Sequence, residues 1–232
     1  MDIETQKLNI DRQITDAAVN CGRNPSTIRL LAVSKTRSAD EVRLLAGLGQ
    51  REFGENYLQE AERKIRQLSD LDITWHFIGQ LQRNKTKIVS ELFDWVQSVD
   101  RQIIAERLSA QRPEHMPDLN ICLQVRMSEE PGKGGIPPEE ILETARQIHN
   151  LPRISLRGLM TIPENTDDSS RMHDAFQRMH TLFETLQGVY PQVDTLSMGM
   201  SGDFTAAIEH GSTMVRIGTA LFGPRQYAES QV

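Results

Sequence analysis

Cysteine is nearly missing from this 232-residue chain: Cys21 and Cys122 stand alone in unrelated segments. Two such residues make no disulfide framework and no Cys-x-x-Cys pair for zinc. The six histidines form no His-Glu-x-x-His motif, so no metal site is expected. Positive charge is also in deficit, with 26 Lys and Arg against 32 Asp and Glu, a net charge of −6. A nucleic-acid binder or a protein of acidic membrane surfaces needs a basic face, and that balance argues against both. No apolar run approaches the roughly 20 residues of a membrane span. The N-terminus, MDIETQKLNIDRQ, carries neither an apolar core nor the basic character of a targeting peptide. Gly132-Lys133-Gly134 lacks the Ser or Thr and the upstream Gly of a nucleotide-binding loop. A reduced, soluble, cytoplasmic protein is the expectation.

What is present suffices for a large core: 38% of residues are hydrophobic and 25% charged. No linker or low-complexity tract divides the chain, so 1–232 reads as one domain, with an N-terminal helix over 1–22 and a C-terminal tail over 224–232. Short apolar runs at 28–36, 51–57, 74–79, 95–100, 120–127, 155–162, 195–200 and 214–223 predict eight strands. Amphipathic stretches alternate with them. Ser38 and Glu41 form a capping box before one helix, which Gly49 closes. Pro137 and Pro138 open another over 139–149, and further helices are expected over 168–187 and 204–210. Alternation of this kind implies parallel strands joined by crossovers. Eight units in this length favour an α/β fold of the closed (β/α)8 barrel type, with an open doubly wound sheet as the alternative.

In such a barrel the functional groups gather where strands end and helices begin. Those positions supply Lys35, Asn56, Gly79, Arg126, Met160, Ser201, and the pair Gly218 and Thr219. Lys35 closes the first strand, in "LLAVSKT" (30–36). It reads either as a lysine whose stem lies on apolar surface while its head reaches water, or as a partly desolvated Schiff-base nucleophile. Parity puts it on the same face as Leu31 and Val33 without saying which face is inside. "SMGMSGD" (197–203) and "VRIGT" (215–219) are turns rich in backbone N–H and hydroxyl donors, suited to an anion or to ordinary helix capping. Arg216 stands between two apolar residues and needs a partner if it points inward. Arg83, Lys85 and Lys87 form a small basic face after the third strand, read as a solvated helix surface or an anion contact.

Several segments together, "LLAVSKT" (30–36), "REFGENYLQEA" (51–61), "WHFIGQLQRNK" (75–85), "RGLMTIP" (157–163), "SMGMSGDFTAAIEHGSTMVRIGTALFG" (197–223) and "RQY" (225–227), carry a resemblance over nearly the whole chain. They resemble the pyridoxal 5′-phosphate homeostasis proteins, the YggS/PROSC family, whose fold is that of the alanine racemase N-terminal barrel. The resemblance implies an internal aldimine between Lys35 and pyridoxal 5′-phosphate. It implies that Ser201, Gly218 and Thr219 hold the phosphate, that Arg216 faces the pyridine nitrogen, and that Asn56 lies near the ring. Met200 would add a backbone contact, and His76 in the matched "WHFIG" fits packing as well as function. In "EEPGKGG" the residue after Lys133 departs from the family pattern, which leaves the role of Lys133 in question. The function implied is intracellular buffering or delivery of the cofactor by a monomer, with apo forms of cofactor-dependent enzymes as partners. An amino-acid racemase is the alternative, and a Schiff-base aldolase fits only the lysine and the anion turns. Racemisation needs a second acid–base group that fold relatives take from an added β-domain. This chain ends just after its eighth strand, so the carrier reading is expected over the enzyme.

Overall fold

The computed structural model describes residues 2–127, 134–163 and 168–223. In chain order the helices and strands are α1 (Ile3–Asn20), β1 (Arg29–Val33), α2 (Ala39–Gly47), β2 (Glu52–Glu55), α3 (Leu58–Gln67), β3 (Thr74–Phe77), α4 (Thr86–Leu92) and β4 (Trp95–Val99). They continue as α5 (Gln102–Gln111), β5 (Leu119–Val125), α6 (Ile141–Ile148), β6 (Ile154–Thr161), α7 (Ser169–Val189), β7 (Thr195–Ser197), α8 (Phe204–Glu209), β8 (Met214–Ile217) and α9 (Thr219–Phe222). The eight strands are all parallel and close into a barrel, β8 returning to pair with β1. The closed barrel therefore holds over the open sheet.

The expected caps and breaks largely form. Ser38 and Glu41 make the capping box of α2, and Gly49, at φ 91°, turns the chain into β2. Asp168 caps α7 through the N–H groups of Ser170 and Arg171. Several boundaries shift, and the runs 28–36, 74–79 and 195–200 are strand only over Arg29–Val33, Thr74–Phe77 and Thr195–Ser197. The run 214–223 is strand only to Ile217, because Gly218 breaks the ladder and "TALF" turns into α9. Pro138 starts a 3-10 turn through Glu140, and α6 proper begins at Ile141. α7 passes through Gly188 to Val189 before it stops. The tail 224–232 lies outside the described residues, and no helix among those described is long and apolar enough to cross a membrane.

Two apolar layers flank the strands. The larger core lies between barrel and helices, where Ala32, Phe53, Val96 and Ile217 meet Val42, Leu45, Ala61 and Leu108. Inside the barrel Leu31, Ile78 and Met214 cluster with Val33 packed against them, and Trp95, Cys122 and Met160 form a second interior group. The parity question is thereby answered: the face carrying Leu31 and Val33 points inward. Trp95 fills one end of the lumen, stacked on His76 at 5.2 Å and flanked by the guanidiniums of Arg29 and Arg157 at 5.0 and 5.1 Å. Open space is left at the other end, where the strands finish.

Close approach of strands demands glycine at Gly158, where a Cβ would lie 1.7 Å from the Thr195 carbonyl oxygen. Gly188, within α7, has nothing within 4 Å of that position. The same substitution should therefore act in opposite directions. In chemical denaturation, Gly158→Ala should lower stability by about 1–3 kcal/mol or more, since backbone must move. Gly188→Ala should raise it by about 0.4–1 kcal/mol.

Candidate functional site

A cavity of about 290 Å³ opens at the strand ends, lined by Val33, Lys35, Asn56, Ile78, Met160, Ile162, Met200, Ser201, Gly202, Arg216, Gly218 and Thr219. All seven residues singled out from the sequence as site candidates, Lys35, Asn56, Met200, Ser201, Arg216, Gly218 and Thr219, lie on its wall. They come from opposite ends of the chain, and barrel closure joins them. β1 and β8 pair with Leu31 opposite Arg216 and Ala32 opposite Ile217. One step further, the Val33 carbonyl oxygen lies 3.4 Å from where a Cβ on Gly218 would stand.

Lys35 is half-buried on a peptide held from three sides. Ser34 donates its N–H to the Gly54 carbonyl at 3.0 Å and its hydroxyl to Glu55 Oε1 at 2.6 Å. The ammonium of Lys64, on α3, donates to the Ser34 carbonyl and to Glu55 Oε1, both at 2.6 Å, and meets Glu60 Oε1 at 2.7 Å. Glu60 in turn accepts the N–H of Thr36 at 2.6 Å. Thr36 sits at φ 65°, a left-handed conformation that a β-branched residue avoids without such support. Lys64 and Glu55 are both buried, and burial raises the Glu55 carboxyl above the usual range while Lys64 and Ser34 draw it back. This clamp was not among the sequence candidates. Glu60 and Lys64 read as an ordinary i,i+4 pair on α3, and only the packing of α3 under β1 brings them to Ser34 and Thr36.

The two donor-rich turns are tied to each other and to Arg216. Gly199, at φ 95°, passes so close to α8 that a Cβ there would be 2.6 Å from that of Ala207. Its carbonyl accepts the Arg216 N–H at 2.9 Å. Asp203 accepts the Met200 N–H at 2.5 Å, and Ser201 Oγ accepts the Ala220 N–H at 3.4 Å. Met200 is partly exposed on the rim, and Gly202 has open space on its free side. The first N–H groups of α9, at Gly218 and Thr219, have no acceptor within the helix, and both residues line the same cavity.

Arg216 forms the floor. Its side chain is buried, donating from Nη1 to Ser197 Oγ at 2.9 Å and from Nη2 to the Thr161 carbonyl at 2.7 Å. Ser197 passes the chain on to Gln97 Oε1 at 2.7 Å, and the Gln97 amide reaches His76 Nδ1 at 2.9 Å. No carboxylate lies within ion-pair distance of Arg216 among the described residues. Burial lowers its pKa to about 10, with Asp203 acting in the opposite sense. The guanidinium therefore stays cationic at neutral pH. His76 takes the packing role: it is fully buried, off the cavity wall, and burial holds its pKa well below the usual histidine value.

Among the other strand-end residues, Met160 joins the cavity wall, whereas Arg126 is exposed and off it. Gly79 sits under Asn56, since a Cβ there would lie 2.1 Å from the Asn56 carbonyl oxygen. Arg83, Lys85 and Lys87 are exposed, Lys87 paired with Glu91 at 4.0 Å, an ordinary solvated face. Lys133 lies outside the described residues.

The donor set fits a compound with an aldehyde, a phosphate and an electron-rich ring atom. The primary amine suits the first, hydroxyls and backbone N–H groups the second, and the buried guanidinium the third.

Comparison with known proteins places the chain. Residues 17–226 match the family model "Alanine racemase, N-terminal domain". The pyridoxal phosphate homeostasis protein of Pasteurella multocida is 48% identical over 99% of this chain and 100% of its own length. That of Pseudomonas aeruginosa is 53% identical over 93% and 92%. Among solved structures, PipY of Synechococcus elongatus, with pyridoxal phosphate bound, aligns with a TM-score of 0.83 at 35% identity over 96% of this chain and 100% of its own. A closed eight-stranded parallel barrel that matches this family model over residues 17–226 and is 48–53% identical to these relatives over 93–99% of its length belongs to the alanine racemase N-terminal domain family and, within it, to the pyridoxal phosphate homeostasis proteins.

Proposed function

We propose that the cavity binds pyridoxal 5′-phosphate with Lys35 as its covalent anchor, and that the protein holds and delivers this cofactor without robust turnover of its own. The observation that carries the reading is the convergence of Lys35, Arg216, Ser201, Gly218 and Thr219 on one cavity from both ends of the chain. The bound cofactor of PipY supports it independently. When bound, the cofactor supplies an aldehyde that bonds reversibly to primary amines and a ring able to draw electrons from them.

Each residue has a distinct part. Lys35 Nζ is the amine that bonds to the aldehyde carbon, and the Lys64 clamp keeps its peptide in place. Ser201, Gly218 and Thr219 receive the phosphate, and Met200 contributes from the rim. Asn56 borders the ring, with its buried Oδ1 lacking a hydrogen-bond donor among the described residues. Arg216 faces the ring nitrogen. A guanidinium that stays charged at neutral pH has no proton acceptor to offer there, so it favours an unprotonated nitrogen and weakens electron withdrawal. Among the described residues on this wall the ionisable side chains are Lys35 and Arg216, which favours a carrier over a racemase. The reading further takes the protein as a cytoplasmic monomer of one domain that serves apo forms of cofactor-dependent enzymes.

The direct experiment is visible absorption of the protein with added pyridoxal 5′-phosphate, before and after borohydride reduction. A coloured protein, labelled at Lys35 after reduction and colourless as Lys35→Ala, is expected; a protein that never acquires the label would refute the reading. A racemase assay over a panel of amino acids should give negligible rates, and turnover of about 1–10³ per second would establish the enzyme instead. Arg216→Ala should weaken cofactor retention or shift the spectrum, and unchanged behaviour in both would make Arg216 structural only. Lys64→Met leaves Glu55 buried without its cation, and should cost about 3–5 kcal/mol in denaturation measurements.

A further inference from the structure

A second cavity of about 230 Å³ adjoins the first and shares Asn56, Ile78 and Ile162 with it. Its own wall adds Gly79, Gln80, Ser98, Asp100, Gln124 and Gly134, and none of the anion-binding donors of the first lobe reaches it. Two of these polar groups are already engaged. Ser98 donates to the Gly79 carbonyl at 2.5 Å, and the Gln124 amide donates to the Gly134 carbonyl at 3.0 Å.

Among the described wall residues, the buried side-chain atoms left without a hydrogen bond are two oxygens, Asn56 Oδ1 and Asp100 Oδ1. Both are acceptors, so the complementary ligand is a donor. Arg101 Nε lies 3.2 Å from Asp100 Oδ1, outside hydrogen-bonding geometry, and its side chain is 49% exposed against 14% for Asp100. A pair with one partner in water neutralises the carboxylate weakly. Burial raises the Asp100 carboxyl above the usual range, the mark of an anion short of compensation. Asp100 Oδ2 lies 3.6 Å, and Gln124 Nε2 3.9 Å, from where a Cβ on Gly134 would stand, so this glycine leaves room beside the carboxylate.

We propose that this second lobe is a binding site for a primary alkylammonium group, with Asp100 as its counter-ion and Asn56 as the neighbouring acceptor. A carboxylate beside the amine would meet Asp100 as a like charge, so the ligand is an amine on an alkyl chain, such as a lysine side chain, rather than an α-amino acid. The inference rests on the reading that Lys35 holds an aldehyde in the adjoining lobe, because that reading gives an amine a reason to be held beside it. Binding itself needs only the side chains named.

The test is isothermal titration calorimetry with n-butylammonium chloride and, as the charge-reversed probe, sodium butyrate. It uses the protein as purified and the protein reduced with borohydride in the presence of pyridoxal 5′-phosphate, in which Lys35 is sealed. Saturable butylammonium binding in both forms, none with butyrate in the reduced form, whose first lobe is filled, and affinity roughly tenfold or more weaker in Asp100→Asn is the expected result. Gly134→Ala, whose methyl group fits in ordinary contact, should also weaken binding and serves if Asp100→Asn fails to fold. No saturable butylammonium binding, equal binding of butyrate by the reduced form, or undiminished affinity in both variants overturns the proposal. Failure of the cofactor reading shows separately, as a Lys35 that borohydride leaves unlabelled.

Discussion

The pairing of β8 with β1 is the constraint on which the site depends. Before closure, Lys35 and Arg216 are separated by most of the chain. With Leu31 set opposite Arg216 and Ala32 opposite Ile217, the lysine after β1 and the donors after β8 share one mouth. A slip of one residue would turn Leu31, Val33 and Lys35 toward the helices and leave the donor-rich turns without an amine beside them. Interior packing guards against that slip. Leu31, Ile78 and Met214 cluster inside, and a Cβ on Gly54 would come within 3.1–3.2 Å of Ile78 and Leu31, so the lumen has a place for this register.

Closure places the lysine, and the ion cluster beneath it fixes the peptide that carries it. Lys64 holds the Ser34 carbonyl directly and reaches the Thr36 N–H through Glu60, which allows Thr36 its positive φ. Buried ion pairs contribute little net stability when compared with apolar packing, but breaking one is costly. The cluster is better understood as a positioning device than as a source of stability. Arg216 has a parallel part on the floor of the cavity, its guanidinium directed by Ser197 and by the Thr161 carbonyl.

Much of this was legible in the sequence. Apolar runs separated by caps reveal eight strands, and the turns around Ser201 and Gly218 declare their donors. The run 214–223 overstates the eighth strand because "TALF" is as apolar as a strand, and composition does not register the end of a ladder. Gly188 looked like a stop, yet α7 tolerates a glycine where nothing crowds it. The Lys64 clamp was invisible because Glu60 and Lys64 look like an ordinary solvated i,i+4 pair on α3, and nothing in the sequence shows that Lys64 also reaches Glu55 and the Ser34 carbonyl. Asp100 was hidden similarly: the end of β4 announces an acid, but only the barrel's curvature shows that it borders a cavity beside Asn56.

The role proposed for this mouth, assembled by β1–β8 closure, is to hold pyridoxal 5′-phosphate between Lys35 and the two donor-rich turns. A crystal structure of the protein grown with that cofactor tests it most directly. Density continuous with Lys35 Nζ is expected, with the phosphate against Ser201, Gly218 and Thr219 and the ring nitrogen toward Arg216. Cofactor density attached to another lysine, or a phosphate seated away from those turns, would contradict it.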